Sequence, residues 1–294
     1  MVDTGNKVKL LDPKIDYVFK RIFGEKGDED ILMSLINSIL KGNPTINELE
    51  LLNTEYPKEG FIRKGCHFDI LAKTDNGTTI NIEMQYRNNK NINDRIIYYS
   101  DRIFVDEYKS GDFYGNKKVI SIWIFAENLT RRKNAISEIF PSFKGNKEDN
   151  WEVFTENQRI IILELNKYQT TNENFKDLLT NWVNFLQEPE YLENNPLKLK
   201  NKELDKAIDK LEKMSKNDQE RYYIQSIEDY ERDKASEKYL EGIEGEKRGK
   251  EEGLKEGEKN KSIEIAKNML KLGIDVNIIS QSTGLSIEEI KNLL

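Results

Sequence analysis

The chain has 294 residues, 34% of them charged and only 37% hydrophobic, with a formal net charge of −7. That length holds one generous core with appendages or two domains, and the shortage of apolar residues excludes a uniformly packed globule. The negative balance does not mark a nucleic-acid binder at large, although residues 1–200 are nearly neutral and leave room for a local basic groove.

The opening MVDTGNKVKL carries no apolar signal segment, and nothing later approaches 18 consecutive apolar residues. The expectation is therefore a cytoplasmic protein that does not enter a membrane. Next, "DPKIDYVFKRIFG" puts Ile15, Val18, Phe19, Ile22 and Phe23 on one helical face, with Gly24 as a stop. "DEDILMSLINSILKG" predicts a second helix ending at Gly42, and "ELELLN" a strand. Two more strands, 66–73 and 79–86, are joined by "TDNGT". Residues 92–109 read as an amphipathic helix, and "KKVISIWIFA" (117–126) as a buried strand. "RIIILELNK" (159–167) predicts another strand and "NFKDLLTNWVNFLQEP" a closing helix. Helix, three strands, helix, strand is an α/β order. Cys66 is the one cysteine and His67 the one histidine, so no internal disulfide and no Cys/His zinc site is possible.

Beyond Pro196 the composition changes. Residues 197–261 are charge-laced and helical in pattern, with Gly245, Gly249, Gly253 and Gly257 forming a slowly drifting stripe. Two readings stay open for it: a face that lets another helix approach closely, or a solvated linker. Residues 262–294 predict three short helices, with stops at Gly273 and Gly284 and a capping-box start at Ser286–Glu289. The shape is that of a helix-turn-helix, yet its last helix offers only Lys291 to a phosphate backbone. Packing or oligomerisation is the preferred role over DNA reading.

The hairpin of 66–86 raises a chemical question. Strand side chains alternate, so Glu83 and Gln85 share a face opposite Ile82 and Met84. A three-residue loop Asp75-Asn76-Gly77 with a left-handed Gly77 makes the apolar faces agree. It sets Asp69 opposite Glu83, His67 opposite Gln85, and Ile70 opposite Ile82. Two carboxylates across a ladder repel. Either they splay into water as an ordinary polar face, or a hard divalent cation such as Mg²⁺ or Mn²⁺ lies between them.

Asp69 followed by Glu83-Met84-Gln85, in this element order, resembles the PD-(D/E)XK nuclease superfamily. More narrowly it is similar to the Rpn-type recombination-promoting nucleases and putative transposases. "LLDPKIDYVFKRIFG" and "DRIIYYSDRIFVDEYKSGDFYGNKKVISIWIF" carry the likeness on both flanks. The resemblance implies a restriction-endonuclease-like mixed sheet flanked by helices over residues 8–190, then the charged helical region 197–261 and the small module 262–294. It implies a metal-dependent DNA endonuclease linked to recombination, mobile elements or defence against foreign DNA, using Mg²⁺ with Mn²⁺ as substitute. Asp69 and Glu83 would hold the metal. Gln85 stands where the superfamily's usual pattern has lysine, so it can orient a water or hydrogen-bond a phosphate but supplies no charge.

Asp16 and His67 are further candidate metal ligands. Arg87, Arg95, Tyr99 and Arg102 are candidate DNA contacts, the last three at helical spacing. Arg63, Lys64, Lys90, Lys117, Lys118, Arg131, Arg132 and Lys133 would add a basic surface if they converge. DNA and a second copy of the chain, joined through the C-terminal helices, are the expected partners. The alternative is an inactive nuclease fold retained as an oligomerising interaction protein.

Overall fold

A computed structural model describes residues 8–56, 65–87, 91–115, 117–144, 151–171 and 174–293. The chain divides into two compact units, Met1–Tyr222 and Tyr223–Leu294. Among the described residues no helix is long and apolar enough to cross a membrane.

The first unit begins with α1 (Asp16–Phe23) and α2 (Glu29–Leu40). In α1, Asp16 lies in the first turn and Lys20 and Arg21 in the last, each favourable to the helix dipole. Val18, Phe19, Ile22 and Phe23 are fully buried, and Phe23 meets Trp182 and Phe185 at 5.6 and 6.2 Å between ring centroids. Each such side chain contributes about 1.5–3 kcal/mol by leaving water. Gly24 ends the helix where a Cβ would stand 2.9 Å from the Lys20 carbonyl and 3.4 Å from Ile70, so the residue has to be small.

Among the described residues the strands are β1 (Leu49–Leu51), β2 (Glu55–Tyr56), β3 (Cys66–His67), β4 (Ile70–Thr74), β5 (Thr78–Gln85), β6 (Lys118–Phe125), β7 (Ile136–Ile139), β8 (Ser142–Lys144), β9 (Trp151–Val153) and β10 (Gln158–Glu164). Six of them form a mixed sheet in the order β1-β4-β5-β6-β10-β7. β5, β6 and β10 run parallel, flanked by antiparallel neighbours. The crossover between β5 and β6 is α3 (Ile92–Asp106), whose Ile92 and Ile96 pack on Trp123, Phe125, Ile160 and Ile162. α1 lies against β5. With a strand on either side and helices packed on the sheet, every residue of β5 is buried.

The β4–β5 register is the expected one. Ile70 pairs with Ile82 and Lys73 with Thr79, and Gly77 adopts φ +79°. The strand expected over 66–73 is broken, however. Cys66 and His67 pair with Tyr56 and Glu55 in a separate two-stranded sheet, and the Phe68 amide donates to the Thr54 carbonyl. Asp69 is the bend between the two pieces. β7, β8 and β9 fall in a stretch that showed no strand pattern; they are short and largely exposed.

α4 (Leu178–Gln187) and α5 (Pro189–Asn194) follow, then α6 (Lys202–Lys216). The compositional boundary at Pro196 is not the structural one. α6 buries Leu204, Ala207, Ile208, Leu211 and Met214 and packs on α1, α2 and α4. Lys210 bonds Glu25 and Asp28, and Lys206 bonds Asp28 and Asp30.

In the second unit, the end of α7 (Asp218–Lys271) packs with α8 (Val276–Thr283) and α9 (Ile287–Lys291) around Ala266, Ile279, Leu285 and Ile290. The expected capping box at Ser286 and Glu289 is present, and Gly284 ends α8 at φ +72°. The helix expected to begin near residue 262 is instead the continuation of α7. Gly245, Gly249, Gly253 and Gly257 lie inside it; apart from their chain neighbours and the helix's own backbone, no described atom comes within 4 Å of the space a Cβ would take.

Candidate active site

The candidate residues gather at the carboxyl end of β5, beside the carboxyl end of its parallel neighbour β6, where α/β sheets habitually bind ligands. The bend at Asp69 builds the site. An uninterrupted β4 would have occupied the Met84 amide; with the strand turned away, that N–H donates to Asp69 Oδ2 at 2.8 Å. In return the Asp69 amide donates to Glu83 Oε1 at 3.2 Å. Each carboxylate is thereby fixed by the backbone beside the other. The Asp69 side chain is 10% exposed and that of Glu83 is fully buried.

Among the described residues, Lys20 bonds Asp69 and Arg95 bonds Glu83. Lys20 reaches from α1 to Asp69 Oδ1 at 3.1 Å and to Asp16 at 2.8 Å. Arg95 reaches from α3 to Glu83 Oε2 at 3.3 Å and to Gln85 Oε1 at 3.4 Å. These cations do not cancel the cost of burial. Burial, then the nearby charge of Asp16, raises the Asp69 pKa to about 6, with Lys20 pulling the other way. Burial, then the charge of Asp69, lifts Glu83 well above its ordinary value against Arg95. Burial weakens the Lys20 ammonium, but Asp69 and Asp16 outweigh it and raise its pKa.

Asp69, Glu83 and Gln85 are thus brought together, with Asp16 at the margin: its side chain is 61% exposed, shares Lys20 with Asp69 and stands close enough to act on the Asp69 carboxylate directly. His67 is not. It was expected opposite Gln85, but the bend carries it into the small sheet, exposed and paired with Glu55. Arg102 is not a surface contact either: its side chain is 5% exposed and bonds Asp106 at 2.9 Å. Tyr99 is half-buried, edge-on to Phe68 at 5.0 Å and 5.8 Å from Trp123. Arg87 is exposed just past β5.

Arg63, Lys64 and Lys90 lie outside the described residues. Lys117 and Lys118 are at the opposite end of the sheet, since Lys118 pairs with Thr78, and Lys117 bonds Asp112. Arg131, Arg132 and Lys133 are exposed beyond the carboxyl end of β6. Sequence reasoning missed Lys20; its position four residues after Asp16, on the same helical face, was the available signal.

Among the described residues, no three His, Cys, Asp or Glu side chains form a ready metal cage. The donor set still fits a hard divalent ion. Two buried carboxylates held next to each other at a cost suit Mg²⁺ or Mn²⁺, which commonly take one or two protein carboxylates plus waters and phosphate oxygens.

Residues 13–241 match the family described as PD-(D/E)XK nuclease family transposase. The chain belongs to that family. Residues 259–294 match a second description, Rpn/YhgA-like nuclease family, C-terminal HTH domain. No curated protein and no solved structure matches the chain.

Proposed function

We propose that this protein is a metal-dependent endodeoxyribonuclease that hydrolyses phosphodiester bonds with Mg²⁺ or Mn²⁺. Its role would be recombination of mobile elements or defence against foreign DNA. One observation carries the reading: Asp69 and Glu83 are interlocked through each other's backbone and kept as neighbouring buried acids. Asp69 and Glu83 would hold the ion. When bound, it supplies Lewis acidity toward the phosphate and a water of lowered pKa. The chain's own part is to fix those carboxylates, to balance them with Lys20 and Arg95, and to present Gln85 to the substrate.

Buried charges at such a cost also speak against the inactive interaction protein. Most chains sit just above the stability they need, and a site without chemistry gains by losing its acids. The C-terminal module supports DNA binding by its helix-turn-helix family; its single lysine on α9 favours pairing of two copies, which would place two sites for a double-strand cut.

The test is plasmid cleavage by wild type, Asp69→Ala and Glu83→Ala across a metal series. Nicking or linearisation by wild type alone is expected. Wild type inert with every ion, or mutants that cut equally well, sinks the proposal.

A further inference from the structure

The guanidinium of Arg95 is divided between two acceptors, Glu83 Oε2 and Gln85 Oε1. It also lies over the Tyr99 ring, 4.8 Å from the centroid, and 5.7 Å from that of Trp123. Tyr99 is in turn wedged against Phe68. Two acceptors and two ring faces leave this arginine one pose, unlike a phosphate-seeking side chain in solvent.

That pose has a consequence for its neighbour. A guanidinium carries donors only, so the end of the Gln85 amide that faces it has to be the oxygen. The other end is the NH₂, which donates and accepts nothing. Gln85 is 8% exposed and two residues along β5 from Glu83, on the same strand face.

We infer that Arg95 is a positioning residue: it turns Gln85 so that the amide NH₂ faces the reacting phosphate. Gln85 then donates a hydrogen bond to a phosphate oxygen and does not orient the attacking water by accepting from it. This role rests on the nuclease reading of the acid pair. It also accounts for glutamine in place of lysine in the motif. The charge is lost while the donor is kept. An ammonium donates in three directions and needs no orienting partner, whereas an amide has one donor end and does need one.

The experiment is a double-substitution cycle with a second readout in ion-free protein. Arg95→Lys retains a cation for the buried Glu83 but loses the fork that reaches Gln85. Its cleavage rate is expected to fall about tenfold or more, given that one positioned donor is commonly worth about a hundredfold. In the Gln85→Lys background, where the donor no longer needs turning, the same change is expected to cost much less than it does in wild type. A purely structural role for Arg95 gives the same loss in both backgrounds. That result overturns the inference and leaves the nuclease reading standing.

The second readout is NMR of protein labelled with ¹⁵N-glutamine in EDTA, the Gln85 NH₂ pair being assigned by its loss in Gln85→Glu. A short DNA duplex is expected to shift that pair in wild type. An unmoved pair refutes the orientation whether or not the protein cuts. A shifted pair in a protein that stays inert toward DNA with every ion supplied refutes the nuclease reading instead.

Discussion

Replacing Asp69 by asparagine in ion-free protein tests the electrostatic account of the site. The side chain keeps its shape, and its oxygen can still accept from the Met84 amide. The charge goes, and with it the acceptor that Asp69 Oδ1 offers Lys20. The folded pKa of Asp69 is about 6 against a reference of 3.8. At about 1.4 kcal/mol per pKa unit, the ionised form therefore costs the fold about 3 kcal/mol. The sign follows from proton binding. Because the folded pKa is the higher one, the folded state holds more protons between the two values, so wild-type stability falls as pH rises through about 6 and the full cost applies above it. Asp69→Asn is therefore expected to be more stable than wild type by about 3 kcal/mol at pH 8, with the gap closing below pH 4. Urea unfolding in EDTA followed by tryptophan fluorescence measures this directly, since Trp123, Trp151 and Trp182 all belong to the first unit. A variant less stable than wild type at pH 8, or a gap that does not change with pH, would refute the reasoning.

Mn²⁺ at a hundred times its dissociation constant should stabilise wild type by about 2.7 kcal/mol; thermal shift should show a larger gain at pH 8 than at pH 5, where protons compete for Asp69, and none in the Asp69→Asn/Glu83→Gln double variant. Arg102→Ala should lower stability by about 1–3 kcal/mol, as removal of a buried partner does. It should leave the salt dependence of duplex affinity unchanged, which fluorescence anisotropy can check. Phe23→Ala should cost about 3–5 kcal/mol in urea unfolding, because it empties the contact between α1 and α4. Deletion of residues 262–294 should lower the number of chains per particle seen by light scattering; an unchanged number with lost site preference would make the module a DNA reader.

The hairpin was legible because two local constraints agreed. Only one turn length matched the apolar faces of β4 and β5, and that turn needed the glycine found at position 77. The bend at Asp69 was not legible, since it depends on pairing with residues 55 and 56, which no alternation within 66–73 reveals. With the bend unseen, His67 was set beside Gln85 and Asp69 was set in a regular ladder. Lys20 was missed, and Arg95 was taken for a DNA contact and not a partner of Glu83 and Gln85, for a similar reason: both lie on helices whose placement against the sheet is tertiary. α6 did carry a signal, with Leu204, Ile208, Leu211 and Ser215 at helical spacing and buried, but the surrounding charge disguised it. β7 to β9 had none, as their side chains bury on neither face consistently.

The way α6 is fastened to α1 and α2 decides where the first unit can be cut. A chain shortened at residue 196, where the composition shifts, would strip Leu204, Ile208 and Leu211 from the apolar surface they cover. It would also leave Asp28 and Glu25 without their lysines. Such a fragment should precipitate or bind hydrophobic dyes, whereas one carried on to Tyr222 should stay dispersed with its acid pair intact.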